Sequence, residues 1–188
     1  MKNRIMQLFE TCPIIAAAKS PEHLEQCVAS QSEVVFLLFG EVGTVEEMVD
    51  RVKSAGKLAI VHMDLINGLG SKESAADFIK KYTRADGIIS TRPQTIKHAG
   101  SLDLFTILRL FMLDSMSLNN VSKQIGTACP DMVEVLPGLM PRIIRKICAE
   151  TSVPIIAGGL ISEKGEVLDA LNAGALCVST TKNELWSV

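Results

Sequence analysis

The sequence predicts an α/β fold, a small TIM-like (β/α)8 barrel with one or more helices short or missing. Two observations carry that prediction. First, short apolar runs recur along the whole chain, at 13–18, 34–39, 58–63, 87–90, 104–108, 132–136, 154–157 and 175–179. Each is continuous rather than alternating, which is how a parallel strand buried on both faces reads. Second, the runs start 17 to 29 residues apart. That is room for one strand, one loop and one helix, and a series of eight such units closes a barrel. A doubly wound open sheet is the structural alternative.

The segments between the runs carry helix signals. Thr44-Val45-Glu46-Glu47 reads as a capping box ahead of Met48, Val49 and Val52, with Gly56 as the stop. Ser71, followed by Ser74, Ala75, Phe78 and Ile79, opens a helix after the third strand. The interval 86–104 is the tightest, so the fourth helix is the one expected to be lost. Pro141 opens a helix at its first turn, with Ile143, Ile144 and Ile147 on one face. Ser162-Glu163-Lys164-Gly165 leads into Val167, Leu168 and Leu171, and Gly174 closes that helix. A chain of 188 residues is short against the roughly 200–250 usual for this barrel, hence the expected loss. Residues 1–188 read as a single barrel domain.

Composition narrows the function. Hydrophobic residues make up 47% and charged residues 21%, enough to build a core and too apolar for disorder. The longest charge-free stretches are about a dozen residues, short of the roughly 18 a membrane span needs. Gln7, Glu10 and Pro13 interrupt what would have to be an apolar signal region after Lys2 and Arg4, so no signal peptide is expected. The five cysteines are odd in number and form no CxxC. That argues against a disulfide framework or zinc site and for a cytoplasmic protein whose thiols fill the core. Met112, Met116, Met132 and Met140 read as core or interface. A net charge of −2 and 4% aromatics exclude a strongly basic nucleic-acid binder and an open base-stacking platform. Any nucleic-acid contact must be local, switched, or shared across an oligomer.

In this architecture the strand C-termini and the loops after them face the site. Reading those positions collects Lys19, His62, Asp64, Arg109, Glu134, Gly138, Gly158, Gly159, Ser179 and Thr180 as ligand-binding candidates. The pairs Gly158-Gly159 and Ser179-Thr180 end the seventh and eighth runs, where such barrels commonly hold phosphate. Glycine lets backbone N–H groups approach an anion, hydroxyls add donors, and a short helix at 182–185 would aim its positive end there. The expected pose sets phosphate against the Gly159 and Thr180 N–H groups and hydroxyls toward His62, Asp64 or Glu134. The alternative is a plain turn and cap with a satisfied polar rim. Arg109 sits in an apolar run and needs a partner, either Asp114, Glu134 or a ligand anion. His62, Asp64 and Glu134 at generic spacing do not assert a metal. Arg142, Arg145 and Lys146 share one helix, with Lys123 upstream, and read as a solvated face or an RNA patch.

Several segments together resemble a known family. They are His62-Met63-Asp64-Leu65-Ile66-Asn67-Gly68-Leu69, Asp86-Gly87-Ile88-Ile89-Ser90-Thr91-Arg92 and Pro130-Asp131-Met132-Val133-Glu134-Val135-Leu136-Pro137-Gly138. Pro154-Ile155-Ile156-Ala157-Gly158-Gly159-Leu160-Ile161, Ala173-Gly174-Ala175, Val178-Ser179-Thr180 and Leu185-Trp186 complete the set. Over 13–186 the chain resembles the bacterial glycerol uptake operon antiterminator regulatory proteins. The resemblance implies a barrel that senses glycerol 3-phosphate as effector, uses no cofactor, and when loaded binds leader mRNA ahead of glycerol-utilisation genes. Leu108 stands where that family is expected to carry Gln before the arginine. Lys72, Arg142 and Arg145 are the RNA-contact candidates, presented when the glycine-containing loops 65–71 and 137–141 respond to ligand. The small acidic domain is expected to act as a homo-oligomer. A phosphosugar or glycerol-phosphate enzyme of isomerase or aldolase type is the alternative, with Lys19, His62, Asp64 and Glu134 supplying acid–base groups.

Overall fold

The computed structural model describes residues 2–70 and 72–187. Its eight strands are β1 (Ile14–Ala18), β2 (Val34–Leu37), β3 (Leu58–His62), β4 (Gly87–Ser90), β5 (Phe105–Phe111), β6 (Met132–Leu136), β7 (Ile155–Gly158) and β8 (Cys177–Thr180). All pair in parallel and in sequence order, and β8 closes the ring on β1. The helices are α1 (Lys2–Thr11), α2 (Pro21–Ala29), α3 (Val45–Ser54), α4 (Glu73–Tyr82), α5 (Pro93–Ser101), α6 (Ser115–Asn119), α7 (Val121–Ala128), α8 (Pro141–Glu150) and α9 (Lys164–Asn172). The barrel prediction therefore holds, and every apolar run overlaps a strand.

The missing helix is not the expected one. The 86–104 interval holds α5, a nine-residue helix opened by Pro93. A two-residue connection into it and a three-residue connection out of it make the short interval sufficient. Among the described residues, β8 is followed by the 3-10 turn Asn183–Leu185 in place of a longer helix. A helix the sequence reading did not assign, α1, precedes β1. Its Ile5 and Phe9 lie one turn apart on one face and enter the barrel interior from below. Phe9 stacks on Phe105 with ring centroids 5.5 Å apart.

Strand alternation divides the core into two shells. Ile15, Val34, Phe36, Ile60, Ile89, Phe105, Ile107, Met132 and Ile156 fill the barrel with Ile5 and Phe9. The alternate residues, among them Val35, Val61, Ile88, Leu108 and Val133, pack outward against the helices. Leu108 thus faces the helical layer, so an amide at that position would not reach the barrel mouth. Of the methionines, Met132 and Met112 are buried, Met140 is half-buried and Met116 is 69% exposed. Cys27 and Cys177 are core residues whose thiols burial pushes up, Cys27 to about 12. Cys12 and Cys148 are half-buried, and Cys129 is exposed, contrary to the expectation of a core filler.

Caps follow the sequence in part. Ser20 accepts the His23 N–H above Pro21, and Gly174 takes φ +108 after α9. Thr44 does hold the N-cap of α3 and Gly56 does end it at φ +77, but the capping box is not formed. The Thr44 hydroxyl turns back to the Glu41 backbone instead. Ser71 lies outside the described residues, and Lys72 stands at the N-cap of α4.

Two aspartates lace the strand starts together at the bottom of the barrel. Asp86, just before β4, accepts the Ala59 N–H at 2.8 Å and the Lys53 ammonium at 2.7 Å. Asp131, just before β6, accepts the Thr106 N–H and hydroxyl at 2.8 Å each and Lys2 at 2.7 Å. Removing either carboxylate strands a backbone donor and a partly buried cation. Asp86→Ala is expected to cost about 2–4 kcal/mol in urea unfolding. A loss below about 1 kcal/mol would contradict the role given to Asp86.

Candidate functional site

The top interior layer of the barrel is polar where the layers beneath it are apolar. The inward positions of β5, β6 and β8 carry Arg109, Glu134 and Ser179, all buried. Arg109 and Glu134 are register partners on neighbouring strands. The Arg109 Nε donates to Glu134 Oε2 at 2.6 Å, and the Ser179 hydroxyl donates to Glu134 Oε1 at 2.6 Å. Of the partners the sequence offered Arg109, the fold selects Glu134. A Cβ on Gly158 would lie 2.5 Å from Glu134 Oε1 and 2.6 Å from Ser179 Oγ. Only glycine lets β7 pass this pair, so Gly158 shapes the site from beneath.

Above this layer opens a cavity of about 310 Å³ lined by Arg109, Glu134, Gly159, Ser179 and Thr180. Five of the ten candidate ligand residues therefore meet in one place. Leu136, Leu160, Thr181 and Lys182 complete much of the wall. Lys182 was not singled out by the sequence reading, although it directly follows the Ser-Thr-Thr run whose position marked the site. Gly159 takes φ +75, and a Cβ there would meet Leu136 at 3.0 Å.

The Thr180 details differ from the expected pose. Val178 donates its N–H to Pro13, and alternation along the ladder turns the Thr180 N–H toward β1 as well. The Thr180 hydroxyl donates to the Ile161 carbonyl at 2.8 Å and accepts the Lys182 N–H. Thr180 thus braces the loop after β7, and Thr181 follows it in the cavity wall.

The remaining candidates fall around this centre. His62 is 2% exposed on β3, and its Nδ1 has no hydrogen-bond partner among the described residues. Burial, with the nearby Arg109 charge, lowers its pKa to about 3. It is a neutral imidazole. Asp64 turns away to the end of β4, where it accepts the Thr91 N–H at 2.7 Å and the Ser90 and Thr91 hydroxyls. It ties the two strand ends together instead of lining the cavity. Gly138 is a packing glycine: a Cβ there would strike Ile161 at 2.6 Å, and its N–H donates to the Gly159 carbonyl. Lys19 is exposed past the end of β1. Asn67 bonds both ways with the backbone of Gly40 and Val42, which tethers the loop before α4. Lys72 is exposed before α4, while Arg142 and Arg145 are exposed on α8. These follow β3 and β6, three strands apart in the ring, so one chain does not present them as a single patch. Among the described residues no group of three or more His, Cys, Asp or Glu could hold a metal.

A closed (β/α)8 barrel with a small cavity over buried polar residues at its C-terminal mouth is the class that this geometry defines. Residues 14–186 match the glycerol-3-phosphate responsive antiterminator family, and the chain belongs to it. The uncharacterized protein YgcP of Escherichia coli is 37% identical over 184 residues, 98% of this chain and 96% of that protein. The crystal structure of a glycerol uptake operon antiterminator regulatory protein from Listeria monocytogenes is 34% identical and superposes with a TM-score of 0.89, covering 92% of this chain and 94% of that one. A glycerol uptake operon antiterminator-related protein from Thermotoga maritima is 35% identical with a TM-score of 0.82, covering 92% and 96%. The family is one of regulators and not of enzymes, which decides between the two readings of the sequence.

The neutral state of His62 has a thermodynamic consequence. Its pKa is near 3 in the folded chain against an ordinary 6.5. Between those values the unfolded chain binds the extra proton, so stability falls as pH drops from about 6.5 toward 3. Urea unfolding over that pH range is expected to show a gentler loss in His62→Gln than in the parent. Equal slopes would show that the imidazole is not held neutral.

Proposed function

We propose that this chain is a cytoplasmic transcription antiterminator that binds glycerol 3-phosphate in the barrel-mouth cavity and, when loaded, binds the leader mRNA of glycerol-utilisation genes. The observation that carries this reading is the cavity of about 310 Å³ walled by Arg109, Glu134, Gly159 and Ser179, in a chain that belongs to the antiterminator family. That volume suits a ligand of glycerol-phosphate size, since ligand pockets run from roughly 300 Å³ upward. The phosphate lies against the Gly159 and Thr181 backbone and the Lys182 charge, in the loops after β7 and β8. The glycerol hydroxyls lie toward the Glu134 carboxylate, the outer nitrogens of the Arg109 guanidinium and neutral His62. A neutral imidazole can donate from one nitrogen and accept at the other, which suits a hydroxyl. The effector is the only small molecule required; no cofactor takes part.

Effector binding can raise RNA affinity only if the loaded arrangement of the mouth holds RNA better than the empty one. A barrel of net charge −2 gains basic surface by pairing, and we place the working form as a homo-oligomer. No helix among the described residues is long and apolar enough to cross a membrane.

Calorimetry with glycerol 3-phosphate tests the site. Gly159→Val places a branched side chain against Leu136 at a positive φ and is expected to weaken binding about a hundredfold, or about 2.8 kcal/mol. Unchanged affinity would move the ligand elsewhere. Leader-RNA binding across a salt series, with and without glycerol 3-phosphate, tests the regulation. The loaded protein should bind more tightly, and equal affinity in both states would overturn the effector role.

A further inference from the structure

A second cavity, of about 710 Å³, opens on the same face of the barrel between the first turns of α4 and α5. Lys72, Glu73, Arg92, Gln94 and Thr95 line it. Neither helix start is capped by a side chain; Lys72 and Arg92 hold the two N-cap positions. Pro93 has no N–H to offer. The N–H groups of Glu73, Ser74, Gln94 and Thr95 meet no acceptor among the described residues. Thr95 is 3% exposed and lines the cavity. Four backbone donors, the Thr95 hydroxyl and the charges of Lys72 and Arg92 line one opening, with the Glu73 carboxylate beside them and that of Asp64 3.9 Å from Arg92.

We propose that this cavity takes a phosphate group of the RNA backbone, held by Lys72, Arg92 and the first turns of α4 and α5. Helix N-termini and cations together favour an anion with several acceptor oxygens. The cavity is broad and open to solvent, so it does not enclose the organic part of a small phosphomonoester. A phosphodiester running past the opening needs no such enclosure. The position also suits an effector-controlled contact. Asp64, two residues after His62, accepts the Thr91 N–H at 2.7 Å and lies 3.9 Å from the Arg92 guanidinium. A shift of the β3 end around a ligand is therefore passed directly to the residues that open α5.

The inference rests on the RNA-binding reading above, and the test separates the two. The full-length protein, saturated with glycerol 3-phosphate, is titrated with leader transcript over a salt series. Lys72→Ala should bind about fivefold more weakly, with a log–log salt slope shallower by about 0.7–0.9. Glu73→Gln should bind more tightly, because it removes an opposing carboxylate. Thr95→Val should bind more weakly. All three should keep parental affinity for glycerol 3-phosphate, since the two cavities share no lining residue. If the parent binds the transcript and Lys72→Ala and Glu73→Gln bind it equally well, this site is wrong while the regulatory reading stands. If the parent binds no transcript at any effector concentration, both fall. Shifts of the Gln94 and Thr95 amides caused by inorganic phosphate, with RNA affinity unmoved in Lys72→Ala, would make it a small-anion site and overturn the proposal.

Discussion

The buried contact between Arg109 and Glu134 is the constraint around which the upper half of the barrel is arranged. Two charges taken out of water cost more than a simple ion pair returns unless further hydrogen bonds complete them. Here one carboxylate oxygen takes the guanidinium and the other takes the Ser179 hydroxyl. A barrel needs no such pair for stability, since the layers beneath manage with Ile, Phe and Met. The pair makes sense as a fixture for a polar ligand. It leaves the outer guanidinium nitrogens available above a carboxylate that cannot swing, because β5 and β6 hold the two residues in register. Gly158 follows from the same constraint, since any side chain there would displace Glu134 or Ser179.

The lower half obeys a different rule. The ring of parallel strands leaves the interior open at the bottom, and α1 closes it with Ile5 and Phe9. The strand starts above that plug are stitched by Asp86 and Asp131, each taking a backbone N–H from the preceding strand and a lysine from a helix. These carboxylates resemble site residues in sequence, since each opens a recognisable segment. Their position at the N-terminal ends of β4 and β6 makes them stability residues. The contrast with Glu134 is one of position: a carboxylate just before a strand braces the barrel, and one at the strand's upper inward position faces the cavity.

That distinction explains how much of the site was legible in the sequence. The strands were readable because burial on both faces leaves an unbroken apolar run, and Arg109 and Glu134 stood out as charges inside such runs. Ser179 and Gly159 followed from strand ends. What could not be read was direction. Asp64 is two residues from His62 and would share its side of an extended strand, but the 3-10 turn Met63–Leu65 rotates it toward Ser90 and Thr91. Gly138 reads as a loop glycine for ligand approach, yet its missing Cβ is required by Ile161. Thr180 and Thr181 are indistinguishable by type, and only the β1 ladder shows which backbone is turned away. The basic residues were collected by charge alone; the ring order then set Lys72 apart from Arg142 and Arg145.

The same geometry connects His62 to the start of α5 through a few residues. His62 stands in the buried top layer, its Nδ1 without a protein partner among the described residues. A ligand hydroxyl that satisfies it would act on the last residue of β3. The next residues form the 3-10 turn that carries Asp64, and Asp64 grips Ser90 and Thr91 through three groups. Thr91 and Arg92 begin the turn into α5. A buried, partly satisfied polar group is a high-energy element, so completing its hydrogen bonds supplies free energy that a neighbouring two-state loop can use. His62, whose buried Nδ1 has no partner among the described residues, is thus only two residues from the carboxylate that holds the start of the turn into α5.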